Sequence, residues 1–91
     1  MLEVNGRYRR NENIIIKKLG GKQWALNVKD GNEYVINAVS YDILDELSKP
    51  QSISDIVASI IGMYDVPRET FLTDFETWLF VALEKELIKK V

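Results

Sequence analysis

Two groups of side chains in this sequence have the types and spacing to do chemistry, and both fall short of it. Asp42, Asp45 and Glu46 lie close together, and paired carboxylates can act as acid and base or hold a cation. Asp42 and Glu46 are one helical turn apart, however, with no basic partner in reach along the helix, so the group reads as a solvated face. Gly20-Gly21-Lys22 would suit a phosphate, but it lacks the spacing and the serine or threonine of a P-loop. Glu76, Glu84 and Glu86 alternate with Lys85 and Lys89, the pattern of an exposed helix surface. The chain contains no histidine and no cysteine. That removes the commonest general base, the thiolate nucleophile and the usual transition-metal ligands. No catalytic set, metal or cofactor is expected, so the chemistry left to this chain is recognition. Two stretches could supply it: Glu33-Tyr34-Val35-Ile36-Asn37, an apolar strand feeding a helix, and the aromatic-rich segment around Trp78 and Val81.

The elements that must position these stretches form one small domain. Ninety-one residues leave no room for a second core, and 46% hydrophobic with 29% charged residues is a globular composition. The N-terminus lacks the apolar core of a signal peptide, and no apolar run is long enough to cross a bilayer. A cytoplasmic protein is expected. The net charge of −2 is unevenly spread. Residues 1–29 carry seven Lys/Arg against two Glu, a net of +5, whereas residues 30–91 carry five against twelve, a net of −7. Such a split orients partners more than it sets a fold.

Residues 1–12 are polar and punctuated by Gly6 and two asparagines, and read as a flexible arm before a single domain over 13–91. Ile14-Ile15-Ile16 opens a first strand over 13–18. Trp24 to Val28 makes a second, with Trp24, Leu26 and Val28 on one face. Asp30-Gly31 predicts a tight hairpin turn, since both residues tolerate positive φ, and 33–37 then forms a third strand antiparallel to the second. Because strand residues alternate faces, only one of the sets Glu33/Val35/Asn37 and Tyr34/Ile36 can point inward.

Three helices follow. The first spans 38–48, capped by Asn37 or Ser40, with Val39, Ile43, Leu44 and Leu47 as its stripe and Lys49-Pro50 as its stop. Ser52-Ile53-Ser54-Asp55 resembles a capping box opening the second, whose inward residues are Ile53, Ile56, Val57, Ile60 and Ile61. Pro67 stands in the first turn of a third helix that runs to Leu87. There Phe71, Phe75, Leu79 and Ala82 form the central stripe, and Trp78 and Val81 flank it. The apolar arc is wider than a surface helix needs. The expected fold class is therefore α+β and winged helix-turn-helix-like: a three-stranded antiparallel sheet followed by three helices.

Taken in order, Tyr34-Val35-Ile36-Asn37, Ile53-Ser54-Asp55-Ile56-Val57, Tyr64-Asp65-Val66-Pro67, Asp74-Phe75, Trp78-Leu79 and Leu87-Ile88 resemble the family of the pyrroloquinoline-quinone biosynthesis protein D, or RiPP recognition element. The resemblance spans 22–88. Ser40 departs from it where Gly or Ala is common, as do Phe80 and Val81 where polar residues are frequent. The resemblance implies a protein that is not an enzyme. Such proteins bind the leader of a ribosomally made precursor peptide, which adds as an antiparallel strand to the outer edge of the third strand, against the third helix. They present it to a modifying enzyme, such as a radical SAM enzyme or a leader peptidase. It implies Glu33, Tyr34, Val35, Ile36 and Asn37 as the pairing edge, with Asp74, Thr77, Trp78, Val81 and Lys85 as the helical wall. Quinone-cofactor, lasso-peptide and other radical-SAM pathways all fit a free-standing domain of this length, as a monomer or weak dimer.

Two rival readings come from other classes. A small winged-helix regulator would use the basic arm, Arg7, Arg9 and Arg10, on nucleic acid. Its helices have the wrong sign for phosphate, since Asp55, Asp65, Glu69, Asp74 and Glu76 would repel it. A structural subunit would dimerise through the same strand edge.

Overall fold

The computed structural model describes residues 6–91. Its organising hairpin joins β2 (Ile14–Leu19) to β3 (Lys22–Asn27). Gly20 and Gly21, at φ 58° and 79°, turn the chain between the paired residues Leu19 and Lys22, a twist that matches the strands they join. β4 (Glu33–Ile36) then pairs antiparallel with β3. The loop before it is longer than the tight turn expected of Asp30-Gly31. Only Gly31 has positive φ. The Asn27 and Asp30 side chains accept the Lys29 and Asn32 N–H groups, each at 2.9 Å, and so hold the loop by side-chain caps.

The register sorts the faces of this sheet. Ile14, Ile16, Ala25, Tyr34 and Ile36 face inward; Ile15, Trp24, Leu26 and Val35 face out. Trp24 and Leu26 do share a face, but it is the outer one. Ala25, at 0% exposure, is the inward contact of β3, where a small residue lets α1 (Ala38–Glu46) approach.

A second sheet departs from the expected single sheet. β1 (Arg7–Arg10) lies between β5 (Gln51–Ser52) and β6 (Ile88–Lys90), antiparallel to both. Residues 7–10, read from sequence as part of a loose arm, are therefore a central strand, while residues 1–5 of that arm lie outside the described residues. The physical cause is Tyr8, which is 2% exposed and joins the core from between arginines. Arg10 adds a donor from its guanidinium to the Leu44 carbonyl at 3.2 Å. Lys89 closes the sheet's rim on Glu12 at 2.7 Å, and its hydrogen bond holds that carboxyl below its usual pKa.

The helices follow their caps. Asn37 accepts the Ser40 N–H at 2.8 Å and Ser52 the Asp55 N–H at 3.1 Å, opening α1 and α2 (Ile53–Met63). α3 (Arg68–Glu84) takes Pro67 as its N-cap. Ile43, Leu44, Leu47, Ile56, Val57, Ile60, Phe75 and Leu79 are buried together, and no helix among the described residues is long and apolar enough to cross a membrane. The acids of α1 are not the plain solvated face expected of them. Asp42 accepts a short hydrogen bond from the Tyr64 hydroxyl, and Glu46 accepts the Ser59 hydroxyl at 2.8 Å, so both tie α1 to α2 and the residue that caps it.

α3 stops short of the expected Leu87. Glu86 takes a left-handed φ of 59°, its N–H reaches the Leu83 carbonyl at 3.1 Å, and Leu87 N–H reaches that of Ala82 at 2.9 Å. This paired closure usually uses glycine. With glutamate there, the chain turns into β6 and Leu87 is buried. Glu86→Gly should relieve the left-handed strain and raise stability by about 1 kcal/mol, read in a urea melt. The Asp42 hydrogen bond, helped by lesser desolvation and charge repulsion, raises the Tyr64 pKa. Its contribution is whole below an ordinary tyrosine pKa of about 10 and is lost as pH rises through the higher folded value. Alkaline melts should show that loss, and Tyr64→Phe should abolish it.

Candidate functional site

β4 is an edge strand: β3 pairs with one side, and no described strand pairs with the other. Antiparallel bonding alternates along a strand. The Asn27 N–H bonds the Asn32 carbonyl at 2.9 Å, which starts the alternation, so the pairs Ala25–Tyr34 and Gln23–Ile36 exchange backbone bonds. Glu33 and Val35 consequently aim their N–H and C=O groups away from the sheet. Asn37 ends this edge, because its carbonyl already accepts the Tyr41 N–H at 3.0 Å.

The side chains resolve the choice left open by the sequence. Tyr34 and Ile36 are half-buried and pack against the core, while Glu33, Val35 and Asn37 are exposed, Val35 at 75%. Glu33 lies 3.6 Å from Lys17 on the outer face.

α3 runs beside the open edge and makes a trench with it. One cavity of about 180 Å³ is lined by Tyr34, Ile36, Trp78, Val81 and Lys85. A second, of about 360 Å³, opens beyond Trp78 and includes Asn37, Ser40, Val66 and Asp74. The structure thus brings nine of the ten site residues expected from sequence to the strand or to these two cavities. Thr77 lies around the helix, lining a shallow depression with Glu76, Phe80 and Val81.

Trp78 divides the two cavities. Its ring stacks on Phe75, centroids 5.9 Å apart, and its indole N–H donates to the Ser40 hydroxyl at 2.9 Å. Ser40, offered by the sequence as an N-cap and as a departure from the family pattern, instead donates its N–H to the Asn37 cap and accepts the indole N–H that fixes Trp78. At the other end, Lys85 Nζ sits 4.9 Å from the centre of the Tyr34 ring, a cation–π contact that keeps the ammonium at the trench mouth. Phe80 is 66% exposed and belongs to the outer surface of α3 rather than to the core.

The site is an open strand edge beside an apolar trench. No described group of three His, Cys, Asp or Glu residues is placed to hold a metal.

Comparison with known proteins gives a family and a similar fold. The family model of coenzyme PQQ synthesis protein D (PqqD) matches residues 23–88. A solved structure described as TbiB1 in complex with the TbiA(beta) leader peptide is similar in fold, with a TM-score of 0.75. Its identity is 22%, over 89% of this chain and 94% of that one. No curated protein matches the chain. The chain belongs to the PqqD family.

The Trp78–Ser40 bond is testable without a ligand. Trp78→Phe leaves the buried Ser40 hydroxyl unmatched and Ser40→Ala the half-buried Trp78 indole N–H, and each should destabilise the fold. In a double-mutant cycle followed by urea melts, the pair should show a coupling of about 0.5–1.5 kcal/mol. Additive losses would mean that the two side chains do not interact in solution.

Proposed function

We propose that this PqqD-family chain is a non-catalytic adaptor that binds the leader region of a ribosomally synthesised precursor peptide and delivers it to a modifying enzyme. The observation that carries the reading is the outward backbone of Glu33 and Val35, which no described strand pairs, beside an apolar trench. An edge of this kind accepts an added strand: main-chain bonds give generic affinity, and alternate side chains entering pockets give selectivity. The leader lies antiparallel to β4. Tyr34, Ile36, Trp78 and Val81 receive its apolar side chains, and Asn37, Asp74, Thr77 and Lys85 border them. The likeness to a structure described with a leader peptide bound supports the same mode.

Ordering a disordered leader costs about 2–5 kcal/mol, so binding depends on anchors that are already fixed. Trp78, held by Phe75 and Ser40, is such an anchor. The adaptor works in the cytoplasm as a monomer or weak dimer. Its enzyme partner is a radical SAM enzyme or a leader peptidase, in a quinone-cofactor, lasso-peptide or related pathway. Nucleic-acid binding has no comparable support: β1 holds Arg7–Arg10 within a sheet, and the helices stay acidic.

The test is titration with synthetic leaders of the precursor peptides encoded beside the gene. Val35→Pro removes an outward N–H and leaves the β3–β4 bonds intact, as proline on an edge strand can. It should weaken binding at least about tenfold with little change in the melt. Ile36→Pro removes an N–H used by β3 and should unfold the sheet. Val81→Asp, at an exposed wall position, should also weaken binding. Leaders that bind Val35→Pro and Val81→Asp as tightly as the parent would exclude strand addition at β4, and concentration-dependent light scattering would point instead to self-pairing there.

A further inference from the structure

The trench carries opposite charges at its two ends. Asp74 is exposed at the end where Asn37 and Trp78 line the larger cavity, and Lys85 is exposed at the end where Tyr34 lines the smaller one. Neither has an ion-pair partner among the described residues, where the salt bridges are Lys17–Glu33 and Lys89–Glu12. The Lys17–Glu33 pair neutralises itself, so Lys85 sets the charge of its end. Between the two ends the wall is apolar, formed by Trp78 and Val81 against Tyr34 and Ile36. From Asp74 to Lys85 the helix rises about 16 Å at 1.5 Å per residue, and a strand covers that in about five residues at roughly 3.4 Å each. Only alternate side chains of an added strand face the wall, so the offset between its two end contacts is even: four or six.

We infer that the trench selects a charge-polarised strand, with a cationic side chain over Asp74, one or two apolar side chains against Trp78 and Val81, and a carboxylate over Lys85, the charges being four or six residues apart. The inference rests on the strand-addition reading and supplies the recognition rule which that reading leaves blank. It also orients the guest. For a strand antiparallel to β4, the cation comes first in sequence and the carboxylate last. The reversed order sets like charges against each other at both ends, a repulsion that discriminates more than the matched pairs attract.

The experiment displays a random library of twelve-residue peptides to the immobilised full chain, to Val35→Pro, and to the charge-swapped variant Asp74→Lys/Lys85→Glu. Both swapped positions are exposed, so the fold is preserved and checked by melting. Peptides enriched on the parent and lost on Val35→Pro should carry Lys or Arg four or six residues before Asp or Glu, with apolar residues between. The swapped variant should enrich the opposite order. Each single charge change should weaken a selected peptide about two- to fivefold, with the effect shrinking at high salt. Enrichment that depends on Val35 but shows no charge order, or the same order on both proteins, overturns this inference and leaves strand addition standing. Enrichment indifferent to Val35→Pro, or none at all, overturns both.

Discussion

The alternation of backbone bonds along β4 imposes a condition that the rest of the molecule has to satisfy. Tyr34 and Ile36 spend their amides on β3, and Glu33 and Val35 are left with theirs facing away. Leaving polar backbone unpaired is tolerable only where water or a partner can reach it, and none of the described strands closes over that side. The apolar inner face of the same strand must nevertheless be covered. α3 meets both demands by lying beside the edge rather than over it. It buries Phe75, Leu79 and Ala82 and presents Trp78 and Val81 obliquely to the space where a further strand would go.

Holding a helix at that offset requires fixed points at both ends. The Trp78–Ser40 bond is one, joining α3 to the first turn of α1, which itself begins where β4 ends. The closure at Glu86 is the other. The left-handed residue turns the chain into β6, which pairs with β1, and β1 pairs on its other side with β5 in the linker between α1 and α2. The small second sheet therefore gathers the segment before β2, the interhelical linker and the C-terminal strand around Tyr8. A chain of this size buries a limited share of its surface, and stitching these segments together compensates for a modest core.

An open strand edge also invites unwanted pairing. Here the exposure is restrained in several ways. β4 is short, the N-cap at Asn37 ends it, and the Lys17–Glu33 pair places charge beside its first residue. These devices leave two outward-facing residues, enough for a guided strand and few for a self-propagating one.

Much of this was legible in the residues themselves. Capping side chains at Asn37 and Ser52, the glycine pair, and the helical spacing of Phe71, Phe75 and Leu79 are local signals, and local physics set those elements close to where they were expected. The ordered motifs from Tyr34 to Ile88 carried the family. Tertiary structure alone decided the rest, because those outcomes depend on partners distant in sequence. Tyr8 becomes core only through strands that lie more than forty residues further along. Asp42 and Glu46 look solvated until α2 and its C-cap supply hydroxyls from Ser59 and Tyr64. Which face of β4 turns inward follows from its register with β3, and a shift of one residue would reverse it. The sequence supplies a strand and a helix with apolar flanks; only their packing makes the space between them a trench.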